Sequence, residues 1–285
     1  MTMKLLPMKT LMEHALKHRY AVPSFCAWNA EVMETILKVC QRLRSPVILM
    51  AGPGEFPVLG PGANANVARA LLADYKVKAA LHLDHGDSME MVKECVKAQF
   101  TSVMLDFSTR SFTENTDALK KVCRLCHPKG ITVEGEIGAV GKCDSTTQEG
   151  SRGSRLTDPD EAAEYVRVTG VDCLAVSIGN AHGAYVKLPK FDFYRLARIH
   201  EKVAVPLTLH GGTGTPDKDL QTAISLGMAK VNVATALISA YRESLMSQWG
   251  AKQNMWTPIA QGEAIKEVAR VVEEWVVRLN ADGKV

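Results

Sequence analysis

Residues 205–214 read VPLTLHGGTG, an apolar run that stops at His210 and passes into glycines. A run this short, apolar on successive positions, suits a strand buried on both faces. Beyond the run come an imidazole and then a loop of small residues. The same order appears twice upstream. ALHLDHGDS at 80–88 ends on Asp84 and His85, and AVSIGNAHGAY at 175–185 runs out at His182. If the three strands lie in one barrel, three rings converge at one mouth. Neutral imidazole is the commonest protein ligand for zinc, and a catalytic zinc site takes three protein ligands and keeps one position open.

Working outward, the same alternation fills the chain. Strand candidates fall at 21–26, 46–51, 78–84, 102–106, 131–137, 173–178, 205–210 and 229–233. Amphipathic helical stretches lie between them, including 30–43, 88–98, 158–169 and 217–226. Thr157 and Asp158 are candidate helix caps, and Pro159 suits the first helical turn after them. Eight strand–helix units predict an α/β fold, the TIM (β/α)8 barrel. The helix at 9–18 is expected to plug its floor, and 258–280 to form a C-terminal helical extension. Length alone suggests two domains, but α/β barrels of this size are routinely single, so 1–285 is read as one barrel domain. The longest stretch without a clear element, 138–156, is polar and glycine-rich, and loops of that length are commonly functional.

Composition narrows the function classes. The 285 residues are 46% hydrophobic and 23% charged, with a formal net charge of +3, which is ordinary globular make-up. No basic block or aromatic-studded basic stripe points to nucleic acid. No run of about 18 apolar residues suggests a membrane span, and the first 20 residues lack a signal-peptide apolar core. Seven irregularly spaced cysteines read as reduced thiols in a cytoplasm. Cys123-x-x-Cys126-His127 has haem-attachment spacing, but the helical periodicity of 113–127 favours an ordinary helix.

Chemistry in such barrels sits at the C-terminal ends of the strands. Those ends here carry Asn29, Asp84, His85, Asp106, Glu136, His182, His210 and Asn232. His82, two residues before Asp84 and on the same strand face, is expected to support it. The loops after strands seven and eight, Gly211-Gly212-Thr213 and Asn232-Val233-Ala234-Thr235, have the backbone freedom and hydroxyl donors of a phosphate cradle. Electrophilic catalysis at a carbonyl group takes either a lysine Schiff base or a Lewis-acid metal. No strand end offers a lysine, and Lys230 is placed at the opposite end of the barrel, so the metal route is favoured.

These motifs resemble the signatures of class II, metal-dependent ketose-bisphosphate aldolases, in the tagatose-bisphosphate and fructose-bisphosphate branch. The resemblance runs in order from FCAWNAE around Asn29 through LDHG, AVSIGNAHGAY and VPLTLHGGTG to KVNVAT. It implies a lyase that reversibly cleaves a ketose 1-phosphate or 1,6-bisphosphate to dihydroxyacetone phosphate and an aldehyde. It implies Asp84 as the proton-transferring acid, and His85, His182 and His210 as zinc ligands. Asp106 and Glu136 match acidic residues at an alternative or second metal position. Gly183, Gly211 to Thr213 and Asn232 to Thr235 match the grip on the phosphate-bearing half, with Asn29 also at the substrate. Asp144 falls where the family carries a loop glutamate that exchanges a proton with the enediolate. A monovalent cation near the phosphate and a homodimer or homotetramer are further family expectations.

Two departures stand out. The family's loop pattern GxxGGxED is here Gly138 to Asp144, with Lys142 for a glycine and aspartate for glutamate; its DGS is Asp106-Phe107-Ser108. They fall on the loop acid and the aldehyde-half pocket, so the aldehyde need not be glyceraldehyde 3-phosphate. Two rival readings share the barrel: a metal-dependent hydrolase and a non-catalytic sugar-phosphate-binding protein.

Overall fold

A computed structural model describes residues 4–142, 154–183, 185 and 188–285. Eight parallel strands close into a barrel. In chain order they are β1 (Val22–Cys26), β2 (Val47–Ala51), β3 (Ala79–Gly86), β4 (Ser102–Leu105), β5 (Thr132–Ile137), β7 (Cys173–Val176), β9 (Leu207–Leu209) and β10 (Met228–Val233). They are neighbours in the order β1-β10-β9-β7-β5-β4-β3-β2. Two further strands, β6 (Gly141–Lys142) and β8 (Ala181–His182), pair only with each other. The barrel strands are buried along nearly their whole length, which accounts for their apolar runs.

The helices between strands obey local chemistry. In α2 (Ala30–Leu43), Asn29 caps the N-terminus by accepting from the Val32 amide at 2.9 Å. Its face carrying Val32, Met33, Ile36 and Leu37 is fully buried, each large side chain contributing about 1.5–3 kcal/mol. In α6 (Pro159–Thr169), Asp158 is the cap, accepting from the amides of Asp160 and Glu161. Thr157 does something else: its hydroxyl donates to the Ile137 carbonyl and accepts from the Ser177 amide, tying the ends of β5 and β7 together.

The floor is closed as expected. In α1 (Met8–His18), the Lys9 amide donates to Thr132 Oγ1, and just before the helix the Leu6 amide donates to the Ala79 carbonyl. Thr132 and Ala79 are the first residues of β5 and β3. After β10 come α9 (Thr235–Ala251) and α10 (Thr257–Arg278), the latter packing on α2 and α9. The six described cysteines are buried and free, Cys123 and Cys126 among them, as part of an ordinary helix, α5 (Phe112–Cys126).

One irregularity shapes the mouth. Along β3 and β4, Leu83 pairs with Val103 and Gly86 with Leu105, so Asp84 and His85 together face the single residue Met104. This is a β-bulge. His85 sits in the left-handed region, φ 46°, which costs a non-glycine residue about 1–3 kcal/mol. Strict alternation would send Asp84 and His85 to opposite faces; the bulge turns both toward the barrel mouth.

Candidate active site

The mouth is built from the ends of β3, β4, β5, β9 and β10 and from β8. His85 and His182 bring their Nε2 atoms 3.1 Å apart, and the His85 and His210 ring centroids are 4.6 Å apart. One ligand-type atom from each of His85, His182 and His210 lies within 4.8 Å of the others. His85, Asp106 and Glu136 form a second group meeting the same distance limit.

The unmatched atoms in this cluster are informative. His182 Nδ1, His210 Nδ1 and Glu136 Oε2 are buried with no hydrogen-bond partner. Glu136 Oε2 lies 3.0 Å from His210 Nδ1, an ion-pair distance without hydrogen-bond alignment. Buried polar groups are normally satisfied, and orphaned lone pairs converging with three imidazoles are what a divalent cation would satisfy. The residues fit such an ion.

Each outer contact leaves a particular nitrogen free. His85 Nδ1 donates to Asp106 Oδ2 at 2.6 Å, leaving Nε2 toward the other rings. Asp106 Oδ1 is itself held by the Ser108 amide and hydroxyl. His210 Nε2 donates to Glu134 Oε1 at 2.9 Å, which leaves Nδ1. Carboxylates that hold the far nitrogen of a ligating histidine fix its tautomer and orientation.

Asp84 is held by Asn232, whose Nδ2 donates to Asp84 Oδ1 at 2.9 Å. Burial would raise the Asp84 carboxyl, but the neighbouring His85, Lys230 and His210 more than offset it and hold it at about 2. Asp84 is therefore ionised at neutral pH, able to take a proton. Burial, reinforced by His85 and His210, lowers His182 to about 4. Burial also acts to lower His210, but Glu134 and Glu136 outweigh it and push the ring up to about 10. His82 is lowered to about 3, by burial first and then by Lys230. It lies 3.8 Å from Asp84 Oδ1 and bonds instead with Ser102 Oγ. Asn232, rather than His82, is the hydrogen-bonding support of Asp84.

The glycine-rich loops pack directly against the cluster. Gly211 has φ +68°, and a Cβ there would sit 2.0 Å from the Ala181 carbonyl oxygen. Only glycine lets β9's end pass this close to β8 and His182. Likewise a Cβ at Gly52 would meet the Asp84 carbonyl oxygen at 2.1 Å. Tyr185 bridges the same loops, its hydroxyl donating to the Gly211 carbonyl and accepting from the Ala181 amide. Thr213 Oγ1 accepts from the Ala236 amide in the first turn of α9, so Thr213 and the segment Asn232–Thr235 gather at a helix N-terminus, a favourable place for a phosphate. Val233 is buried while Ala234 and Thr235 are partly exposed there; Gly183, partly exposed with φ +102°, comes immediately after His182. Gly212 is buried and its amide donates to the Asn232 carbonyl.

Asp144 lies outside the described residues. Lys142, the last described residue before that stretch, pairs with His182 in the β6–β8 ladder. Asn29 serves as the N-cap of α2.

Two residues were missed in the sequence. Lys230, expected at the far end of the barrel, is the third residue of β10 and fully buried inside it. Its Nζ donates to both oxygens of Glu134, at 3.0 and 2.9 Å. Glu134 stands two residues before Glu136, and that spacing on one strand face was the available signal.

Residues 6–284 match the family described as fructose-bisphosphate aldolase class-II. The crystal structure of the YdjI aldolase from Escherichia coli K12 is similar, at 32% identity and TM-score 0.86, over 99% of each chain. The fold is shared by the fructose-bisphosphate aldolase Fba of Campylobacter jejuni, at 20% identity and TM-score 0.83, over 98% of this chain and 95% of that one. The chain belongs to the class II fructose-bisphosphate aldolase family. It is an aldolase, a lyase that performs aldol cleavage of a sugar phosphate.

Proposed function

We propose that the protein is a zinc-dependent aldolase that cleaves a ketose 1-phosphate or 1,6-bisphosphate to dihydroxyacetone phosphate and an aldehyde, and runs the reverse condensation. The observation that carries this reading is the approach of His85, His182 and His210 within 4.8 Å beside Asp84, which Asn232 holds by one oxygen. A cation held there by the three histidines supplies Lewis-acid stabilisation of the negative charge that develops at the substrate ketone. Asp106 and Glu136 would complete the cation's surroundings, Asp106 through His85 and Glu136 with a free oxygen toward His210.

The chain's own residues do the rest. Asp84 takes the proton from the C4 hydroxyl as the C3–C4 bond breaks. Asn232 keeps one Asp84 oxygen occupied, leaving the other for the substrate. Gly183, Gly211 to Thr213 and Asn232 to Thr235 hold the phosphate-bearing half, with a monovalent cation nearby. Asn29 also contacts the substrate. Asp144 returns a proton to the carbanionic carbon, giving dihydroxyacetone phosphate. The same reading makes 1–285 one barrel domain working as a cytoplasmic homodimer or homotetramer. No helix of the described residues is long and apolar enough to cross a membrane.

The test is a coupled assay for dihydroxyacetone phosphate released from fructose and tagatose 1,6-bisphosphates and from ketose 1-phosphates. Activity should vanish on chelation and return with zinc. A chelated enzyme that cleaves at the untreated rate sinks the proposal.

A further inference from the structure

Below the mouth lies a group of polar side chains that the cleavage reaction does not itself require. Glu134, Lys230, His82, Thr208 and Ser102 are all fully buried in the barrel interior. Glu134 is the hub. Its carboxylate accepts from Lys230 Nζ at both oxygens, from His210 Nε2 at 2.9 Å and from Thr208 Oγ1 at 3.3 Å. Lys230 reaches this place through a second register shift: Met228 pairs with Leu207, but Lys230 pairs with Thr208, so Ala229 is the extra residue. That shift sets Lys230 level with Thr208, and both side chains reach Glu134.

A buried ion pair adds little stability over an apolar pair of the same volume, because desolvation offsets most of the attraction. The consequence of this one is directional. A lysine ammonium has three donors and no acceptor. Surrounded by Lys230, Thr208 and His210, the Glu134 carboxylate can only accept. When the ring carries a single proton, as a metal ligand must, that proton is thereby assigned to Nε2 and the lone pair to Nδ1, the atom without a hydrogen-bond partner at the mouth.

We propose that Lys230 and Glu134 are a positioning pair: together they lock His210 in the tautomer and rotation that present Nδ1 to the cation. The inference rests on the reading that His85, His182 and His210 hold a metal, and it goes beyond that reading by assigning the tautomer of one ligand to a lysine on a neighbouring strand.

The test compares wild type with two neutral pairs, Glu134→Gln with Lys230→Met, and Glu134→Leu with Lys230→Met. Neither leaves a lone buried charge, so both are designed to fold, which circular dichroism and thermal melting check. Zinc alone is titrated against a chromophoric chelator. Loss of the outer partner of a metal-binding histidine typically weakens binding about 10- to 100-fold. The Leu/Met protein should show that loss, and the Gln/Met protein, which keeps an acceptor for Nε2, should recover part of it. Nitrogen-15 spectra of zinc-loaded wild type, needing no variant, should show the His210 proton on Nε2 and a metal-shifted Nδ1. A proton on Nδ1, or a folded Leu/Met protein with wild-type zinc affinity, overturns the proposal while leaving the metal site standing. Wild type that binds no zinc overturns both.

Discussion

Asn232 Nδ2 donates to Asp84 Oδ1 at 2.9 Å, joining the ends of β10 and β3, which are not neighbours in the barrel. The residue expected to grip phosphate is thus also the one that aims the proposed base. A side chain that holds one carboxylate oxygen leaves the other to work, so Asp84 and Asn232 should be separable by kinetics.

Asp84→Ala should lower kcat by about 10² to 10⁴, the usual contribution of general acid–base catalysis, while zinc content stays at wild-type stoichiometry. Asn232→Ala should lower kcat by roughly 10- to 100-fold, as expected for a lost hydrogen bond to a charged group. Steady-state kinetics with metal analysis checks both, and an Asp84→Ala enzyme with normal turnover removes Asp84 from the mechanism.

Gly211→Ala should damage the site without touching a charged residue. Its Cβ would lie 2.0 Å from the Ala181 carbonyl oxygen at φ +68°, so β8 and His182 must move. We expect a loss of about 2 kcal/mol or more, read as a drop of several degrees in Tm, together with weakened zinc binding. Unchanged zinc affinity in this variant shows that His182 is not tied to the glycine turn.

Removing the metal should lower stability as well as activity, because a ligand that binds only the folded state stabilises it. At free zinc 100-fold above Kd the effect is about 2.7 kcal/mol. Scanning calorimetry with and without chelator measures it, and coincident melting curves count against a zinc site in the folded barrel.

The buried thiols set an alkaline limit. Burial, aided by nearby acidic groups, pushes Cys95, Cys123 and Cys126 up to about 12, and burial raises Tyr20 as well. In each case the folded pKa lies above the unfolded one. Their stabilisation is therefore complete below about pH 8.5, near the free thiol value, and is lost as pH rises toward 12. Denaturant melts at pH 8, 9.5 and 11 should show falling stability. At pH 8, Ellman's reagent should leave these three thiols and the other buried ones slow in the native protein and fast in denaturant. Rapid native labelling of Cys95 or Cys126, mapped by mass spectrometry, contradicts their burial.

The barrel was legible in the sequence because its strands are buried on both faces and its helices carry caps. The seven barrel strands after Val22–Cys26 kept the same rhythm, and His85, His182 and His210 stood at visible strand ends. What stayed hidden were departures from alternation. The bulge that turns Asp84 and His85 the same way leaves no mark in a one-dimensional pattern. The shifted register in β10 concealed Lys230: by plain counting it is an early strand residue, whereas its side chain reaches Glu134 beneath the mouth. The i, i+2 spacing points to His82 as the support of Asp84, but the hydrogen bond comes from Asn232, 148 positions away.

The kink in β3 also carries a lesson about economy of form. An ordinary strand lends a cavity every other side chain, so adjacent functional groups would need two strands and a matched pair of loops. Here one chain segment delivers the proton acceptor and a ligand as consecutive letters, Asp84 and His85. Their relative placement is fixed by a single peptide linkage rather than by packing between distant parts of the molecule, so it should survive repacking elsewhere in the barrel. The same linkage makes them inseparable: deleting one residue from the kink would restore regular pairing and turn one of the two groups away from the mouth.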